Sequence, residues 1–353
     1  MFWLESLMSG AALLLELPTG ILGDKLGHRR MLRLGQGLML ASYSLFAVAR
    51  GFWAFALSSV LYGAGLACIS GSDSAVLCQS LPGQYRKELT GSAFALLSAA
   101  ASAGFLVGLI TGSWMGATDP AVPVVVNIAP MALAFAATFC LRPAAADGPA
   151  EAPPAASDLF SRAAALIRFQ PATVVLSLLG TAGFALLNAV YWYNQPLFKR
   201  AAIPVAWFGP IMAAAVAIQM VVALSAPRAE RSLKLPGALA LSLAVPGLAY
   251  IAAARSAGPA AVAGLVALVV AGGAWRQPLI QAELNRRITD GARATSLSAL
   301  SLLGTVAGLC INPVIGRLGD MALATAVLGL GIGLLALSAM ALFLPSSQTP
   351  GPS

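Results

Sequence analysis

The sequence predicts an all-α integral membrane protein that crosses the bilayer many times. Hydrophobic residues make up 59% of its 353 residues, charged residues make up only 10%, and the mean hydropathy is +0.84. A soluble domain carries about 25% charged residues, so this composition excludes that class. The apolar residues fall in eleven runs, each near the roughly 20 residues that a membrane-spanning helix needs.

The runs follow one another with short loops between all but one pair. Their predicted bounds are 3–22, 31–49, 52–78, 91–115, 121–141, 172–195, 207–226, 235–254, 259–282, 294–316 and 321–344. The first run lacks the basic leader and the small-residue cleavage site of a signal peptide, so we expect it to be retained. The one long interval separates the run 121–141 from the run 172–195. Within it, Ser157 to Arg168 has the pattern of a short amphipathic surface helix.

The distribution of Lys and Arg predicts the orientation. Fifteen of the 21 fall in alternate loops on one side, five fall on the other side, and Arg276 alone lies within a run. The richer side is cytoplasmic by the positive-inside rule, which places the C-terminus inside and the N-terminus outside. The sequence thus predicts an N-terminal bundle (1–141), a cytoplasmic linker (142–171), a C-terminal bundle (172–344) and a cytoplasmic tail (345–353).

Several function classes have little support in this composition. The net charge of +8 comes from cations in short loops instead of one continuous face, so no nucleic-acid partner is expected. The four cysteines lie inside apolar runs without metal-type spacing, and His28 is the single histidine. An intramembrane prenyl transferase would need clustered acids, which the sequence does not contain. We therefore expect no metal, no cofactor and no enzymatic activity.

The stretch GILGDKLGHRR, residues 20–30, separates the first two runs and is predicted to form a tight cytoplasmic loop. Gly20 would let a neighbouring helix come close, and Gly27 would permit a backbone turn that a residue with a Cβ resists. Asp24 lies among cations that can pair with it. The candidate gating residues of this loop are Gly20, Asp24, Lys25, Gly27, Arg29 and Arg30.

The spacing Gly-x-Leu-Gly-Asp-Lys-x-Gly-x-Arg-Arg resembles the signature loop between the second and third helices of the major facilitator superfamily of secondary transporters. The stretches 61–65 and 70–75 look like the family's fourth helix, and 191–196 is similar to the outer end of its seventh. Asn285 and residues 293–296 resemble the loop and helix start of its eleventh span. The resemblance therefore covers nearly the whole chain.

This resemblance implies two pseudo-symmetric bundles of six helices, with substrate bound between them at the midplane. The chain offers five plus six, so we expect its native start to lie about 25 to 45 residues upstream, with one further span. A truncated fragment, or a non-transporting membrane scaffold that lacks this helix, is the alternative.

Three ionisable residues within the runs are candidates for gating or coupling. Glu16, Asp73 and Arg276 all lie about 12 to 14 Å from the cytoplasmic ends of their runs, at 1.5 Å per helical residue. The resemblance places Asp73 and Arg276 on symmetry-related cavity helices, which predicts an ion pair when the cavity opens outward. In the alternative, each side chain is satisfied by polar groups or water within its own half.

Neutral polar side chains in the second half predict a substrate lining. Asn188 is the strongest candidate because it lies deep, where an unpaired amide is costly. Trp192 and Tyr193 fit an interfacial aromatic belt equally well. The predicted lining consists of Asn188, Tyr191, Trp192, Asn194, Gln195, Gln219, Gln277 and Gln281.

The resemblance implies a secondary active transporter that moves a small organic solute by alternating access. We predict a monomeric efflux permease of the bacterial inner or plasma membrane, with coupling to a proton gradient left open. Two departures from the family's drug–proton antiporters count against that subclass: Ser59 is neutral where they place a basic residue, and no proline accompanies the glycines of the fourth run. A metabolite or sugar uptake permease is the alternative.

Overall fold

The computed structural model describes residues 2–81, 86–141, 156–288, 293–319 and 322–344. The chain divides into two compact units, Met1–Pro154 and Ala155–Ser353. The helices of the first unit are α1 (Phe2–Leu26), α2 (His28–Val48), α3 (Phe52–Ile69), α4 (Ser72–Ser80), α5 (Arg86–Gly116), α6 (Val122–Val126) and α7 (Ile128–Ala137), followed by a 3-10 turn at Thr138–Cys140.

The second unit consists of helices joined by turns and short connections in its described residues. Its helices are α8 (Ala156–Phe169), α9 (Pro171–Asn188), α10 (Val190–Arg200), α11 (Phe208–Ala223), α12 (Ala226–Arg255), α13 (Pro259–Gly272), α14 (Arg276–Arg287), α15 (Arg293–Gly319) and α16 (Leu323–Leu342), with 3-10 turns at Val205–Trp207 and Gly273–Trp275.

The helices confirm the predicted class of an all-α, multi-pass membrane protein. Ten helical stretches of the described chain are long and apolar enough to cross a membrane. They correspond to the second to eleventh predicted runs, and α1 corresponds to the first. The 25 residues of α1 also exceed the length that a crossing needs.

Small residues let the helices of each unit pack closely. In the first unit, a Cβ added at Gly35 would lie 2.8 Å from the carbonyl oxygen of Gly65, so α2 and α3 meet backbone to backbone. In the second unit, a Cβ at Gly331 would lie 2.7 Å from the carbonyl oxygen of Gly247, on the α12–α16 contact. Glycines that allow such approach are typical of membrane helix interfaces.

Polar side chains inside the units are paired at these interfaces. Ser42 and Ser58 hydroxyls each donate to the other residue's carbonyl oxygen, at 2.8 and 2.9 Å. Tyr250 is fully buried, and its hydroxyl donates to the carbonyl oxygen of Leu186 at 3.2 Å. Because hydrocarbon offers no hydrogen-bonding partner, such pairs fix which helix faces meet.

Two predicted loops are mostly helical. Between α1 and α2 only Gly27 lies outside the helices, so the predicted loop at residues 20–30 is a one-residue turn. The predicted runs 207–226 and 235–254 leave residues 227–234 as the corresponding loop of the second half, but α12 covers this interval with Lys234 as its single non-helical residue. The helices continue up to each turn because a helix pairs its own backbone N–H and C=O groups. Such internal pairing is favoured at the edge of an apolar layer.

The third predicted run is interrupted. The sequence predicts one run over 52–78, but α3 ends at Ile69 and α4 begins at Ser72. Gly71 between them has φ +74°, a conformation that side-chain-bearing residues rarely adopt. This break sets the direction in which α4 begins and hence the position of Asp73.

The predicted amphipathic helix corresponds to α8. Ala163 and Leu166 are buried against the unit, whereas Ile167 and Phe169 are exposed. The Arg162 Nε donates to the buried Ser296 hydroxyl at 2.7 Å, which ties α8 to the start of α15. The first part of the predicted linker, residues 142–155, lies outside the described residues.

Candidate functional site

The signature stretch of the first unit is organised by Gly27. This residue has φ +88° and ψ 136°, and its carbonyl oxygen accepts from the backbone N–H of Arg30 at 3.0 Å. No described atom lies within 4 Å of an added Cβ, so backbone conformation alone demands glycine. Lys25 and Arg30 are exposed beside it, and the Asp24 side chain lies outside the described residues.

Gly23, and not Gly20, makes the close contact in this stretch. An added Cβ at Gly20 would meet no described atom within 4 Å, whereas one at Gly23 would lie 3.3 Å from His28 Nδ1. The close helix approach expected at Gly20 is therefore absent among the described residues. The His28 ring in turn lies 3.4 Å from the buried Ser72 hydroxyl, which connects the turn to α4.

The arginines after the turn differ in their surroundings. Arg33 donates to the carbonyl oxygen of Thr138 at 3.4 Å, and its guanidinium carbon lies 4.9 Å from the centre of the Phe139 ring. It thus joins the start of α2 to the end of the unit's last span. Arg29 is half-buried, and its Nη2 has no hydrogen-bond partner among the described residues.

The two acidic candidates of the first unit are exposed. Glu16 lies on α1, and Asp73 lies in the first turn of α4. The Asp73 carboxylate accepts from the backbone N–H of Ser74 at 2.6 Å and from the Ser74 hydroxyl at 3.2 Å. A carboxylate at a helix N-terminus is favoured by the helix dipole, so α4 stabilises the charge locally.

The Arg276 side chain packs against α9 in the second unit. Only 6% of the residue is exposed, and its Nη1 donates to the carbonyl oxygen of Gly180 at 2.6 Å. An added Cβ at Gly183 would lie 3.0 Å from the Arg276 Cδ, so glycine there makes room for the arginine stem. The guanidinium carbon lies 5.7 Å from the centre of the Phe184 ring, a cation–π distance.

A stripe of polar and aromatic side chains extends from the Arg276 guanidinium along α9 and α10. Phe184 and Asn188 are one helical turn apart, and Ala189 between the two helices keeps helical backbone angles, so Tyr191 and Gln195 continue the same face. Phe184 and Gln195 are exposed, whereas Asn188 and Tyr191 are half-buried. We call Phe184, Asn188, Tyr191 and Gln195 the α9–α10 stripe.

The other predicted lining residues lie in different surroundings. Gln277 and Gln281 are exposed on one face of α14, the helix that Arg276 begins, and α14 packs on α9. Asn194 is buried, and its amide nitrogen donates to the Tyr191 carbonyl oxygen at 3.2 Å, so it lies off the stripe. Trp192 is exposed on α10, and Gln219 is half-buried on α11.

An ion-pair cluster joins the start of α12 to the end of α14. The Glu283 side chain is 1% exposed and accepts from Arg286 Nε at 3.0 Å and from Arg287 Nε at 2.7 Å. Arg286 also pairs with Glu230 of α12. We call these four residues, Glu230, Glu283, Arg286 and Arg287, the α12–α14 ion cluster. It lies beside the bend at Lys234, so it holds that end of the unit together.

Comparison with known families decides what kind of protein carries these features. A family profile described as Major Facilitator Superfamily matches residues 2–309. The chain belongs to the Major Facilitator Superfamily. Its members are secondary transporters rather than enzymes, which confirms the predicted family and class.

One curated relative and two solved structures illustrate the relationship. The multidrug resistance protein MdtH of Cronobacter sakazakii is 36% identical over 96 residues, which are 27% of this chain and 23% of the relative. The nucleoside transporter NupG, in a mutant crystal structure, matches with a TM-score of 0.80 at 15% identity, over 96% of this chain and 90% of that chain. A peptide-bound POT family transporter matches with a TM-score of 0.73 at 13% identity, over 96% and 85%.

Three structural contacts of this family member were not predicted from the sequence. Glu283 follows the predicted end of its run by one residue, although its i+3 and i+4 arginines signal helical ion pairs. Arg200 donates to the carbonyl oxygens of Ala254 at 3.0 Å and Ser256 at 2.9 Å, which satisfies the end of α12. The Tyr193 hydroxyl donates to Ile315 at 3.0 Å, which gives that tyrosine a packing role.

Proposed function

We propose that this superfamily member is an efflux permease that exports small organic solutes by alternating access. The observation that carries the proposal is the α9–α10 stripe, which presents polar and aromatic groups within apolar membrane-spanning segments beside Arg276. Polar groups exposed to hydrocarbon are costly, so such a stripe is expected to face a water-filled substrate path. The partial match to a multidrug resistance protein supports the outward direction.

Location and coupling complete this proposal. We place the protein in the bacterial inner membrane with its C-terminus in the cytoplasm, because the positive charges of the loops favour that side. Secondary active transport draws on an ion gradient, and coupling to a proton gradient, which the sequence leaves open, is the form that a protonophore tests. The structural similarity to a nucleoside transporter, at 15% identity, concerns the fold alone and assigns no substrate.

Dye accumulation in living cells tests the direction of transport. The chain would be expressed in a bacterium lacking its own multidrug pumps, with ethidium as an aromatic cation and fluorescein as an aromatic anion. We expect lower steady-state accumulation of at least one dye than in cells with an empty vector, and a protonophore should abolish the difference. Higher accumulation would favour the uptake permease, and no change with either dye would favour the scaffold.

The gating residues form a second part of the proposal. We propose that Asp24 holds an inner gate and that Asp73 pairs with Arg276 in the outward-open state. Asp24→Asn should slow transport without preventing insertion. The charge swap Asp73→Arg with Arg276→Asp should recover part of the transport that each single reversal loses. Losses that simply add, with no recovery in the swap, would reject the pair.

A further inference from the structure

We propose that Arg276 recognises an anionic group of the transported solute, so that the substrates are organic anions with an apolar, aromatic-compatible body. This inference rests on the proposed transport function and names its substrate class. Its basis is the way in which the second unit holds the Arg276 guanidinium, together with the groups that unit leaves without a counterion.

The first step concerns which donors of Arg276 are already engaged. Nη1 donates to the Gly180 carbonyl oxygen at 2.6 Å, and Nε is buried without a hydrogen-bond partner. Nη2 makes no hydrogen bond to any described residue. Nε and Nη2 form one edge of the planar guanidinium, and two parallel donors on one edge match the two oxygens of a carboxylate.

The second step concerns the missing counterion. Among the residues of the second unit whose side chains the structure describes, the acidic ones are Glu230 and Glu283, and both pair with arginines of the α12–α14 ion cluster. The described part of this unit therefore gives Arg276 a carbonyl oxygen and the face of Phe184, but no carboxylate. A buried charge without a counterion is costly, so an anion that reaches Nη2, with a small shift of the guanidinium that uncovers Nε, would offset this cost.

The third step concerns the rest of the solute. Phe184 is 55% exposed directly beside the guanidinium, and Tyr191 follows farther along the same stripe. These rings offer flat apolar surface, while Asn188, Gln277 and Gln281 offer neutral hydrogen-bonding groups. An aromatic carboxylate satisfies both parts: its charge would bind the free edge and its ring would lie on the stripe.

Binding of three aromatic probes that differ only in charge tests this inference. The full-length purified protein would bind radiolabelled 1-naphthoate, with unlabelled 1-naphthoate, 1-naphthamide and 1-naphthylmethylammonium as competitors. We expect the carboxylate to compete at least about tenfold better than the amide, since hydrogen bonds between charged groups are roughly twice as strong as neutral ones. The ammonium should compete worst. This comparison uses the unaltered chain, so it does not depend on any variant folding.

Variants then assign the preference to Arg276. Arg276→Gln should remove the advantage of the carboxylate, and Arg276→Lys should lose most of it, because an ammonium keeps the charge but not the two-donor edge. Arg255→Gln is the matched control, since Arg255 is an exposed arginine of the same unit at the end of α12. It should retain the full preference, and all variants would be compared at equal monodispersity in gel filtration.

The outcomes separate this inference from the proposed function. No advantage of the carboxylate, including no detectable binding of 1-naphthoate, overturns the anion proposal while leaving dye efflux untouched. A carboxylate preference that survives in Arg276→Gln overturns the assignment to Arg276. A preference that depends on Arg276, in a chain that changes the accumulation of neither dye, supports the anion site and rejects the efflux function.

Discussion

The turn at Gly27 in the first unit and the bend at Lys234 in the second occupy corresponding places between two membrane spans, and they are built by different chemistry. Gly27 has φ +88° and ψ 136°, and Lys234 has φ +56° and ψ 167°. Both lie in a region that suits glycine, where other residues cost about 1–3 kcal/mol. The first unit has glycine at this position, which adopts the conformation without strain. The second unit has lysine, whose backbone is strained in it.

The groups around the two turns also differ, and those near Lys234 explain how its strained backbone is tolerated. Near Gly27, the contact between the His28 ring and the Ser72 hydroxyl is long, at 3.4 Å, and it contains no carboxylate. Near Lys234, the α12–α14 ion cluster contains a buried carboxylate with two arginine partners. We infer that the first turn is set by backbone freedom and the second by charge pairing. Each prediction below changes either the backbone conformation at one of the two turns or the charge pairing near Lys234.

The largest effect is expected for Glu283→Gln. Glu283 is 1% exposed, so its removal leaves Arg286 and Arg287 without their shared buried carboxylate. Breaking a buried ion pair costs about 3–5 kcal/mol, and we expect about 3 kcal/mol because Arg286 is partly exposed. The free energy of unfolding would be measured by denaturant titration in detergent micelles.

Glu230→Gln is the control for that change. Glu230 contacts the exposed side of Arg286, and exposed ion pairs contribute about 1 kcal/mol or less. Equal losses in the two variants would mean that burial of Glu283 is not what gives the cluster its strength.

Gly27→Ala should have the next largest effect. The added Cβ meets no described atom within 4 Å, so the expected loss of about 1–3 kcal/mol comes from the positive φ. Gly20→Ala is the matched control, because Gly20 is helical with equal space around it and alanine favours helix by up to about 1 kcal/mol. If both variants lose stability alike, the backbone explanation for the Gly27 turn is wrong.

The Gly27 turn, the spans and α8 could be predicted from the sequence because each depends on local pattern. Bilayer thickness sets the length of an apolar run, and alternation of apolar and polar residues at helical spacing predicted α8. Gly27 could be predicted because glycine itself is the signal. The break at Gly71 was not predicted, since the glycines of 52–78 fit helix packing equally well.

The candidate site was harder to predict, because its contacts join residues far apart in the chain. Arg276 was recognised as an intramembrane charge, but its partner, Gly180, lies 96 residues earlier. Arg286 and Glu230 are 56 residues apart, and nothing in the stretch around either residue indicates the other. Lys234 carries no sequence signal for its positive φ, since lysine rarely adopts that conformation.

Replacing the strained residue should have the opposite sign. Lys234→Gly relieves about 1–3 kcal/mol of backbone strain and adds about 0.5–1 kcal/mol of chain entropy to the unfolded state. We therefore expect a net gain of about 1 kcal/mol in the free energy of unfolding. Lys234→Ala removes the charge and keeps the strain, so it should gain nothing. A gain in the alanine variant as large as in the glycine variant would assign the effect to charge.

The smallest expected effect is that of salt, which distinguishes the two turns without any mutation. The pair between Arg286 and Glu230 is partly exposed, and the Debye length falls from about 10 Å at 0.1 M salt to about 3 Å at 1 M. Raising NaCl over this range should weaken the Lys234 bend by a few tenths of a kcal/mol, since exposed ion pairs contribute little and are screened. The Gly27 turn should not respond, because its conformation depends on φ and not on charge. Hydrogen exchange of backbone amides would report both regions in one sample, with faster exchange at high salt expected only near the start of α12. Glu230→Gln should remove this salt dependence, and a persistent response in that variant would show that another charge is responsible.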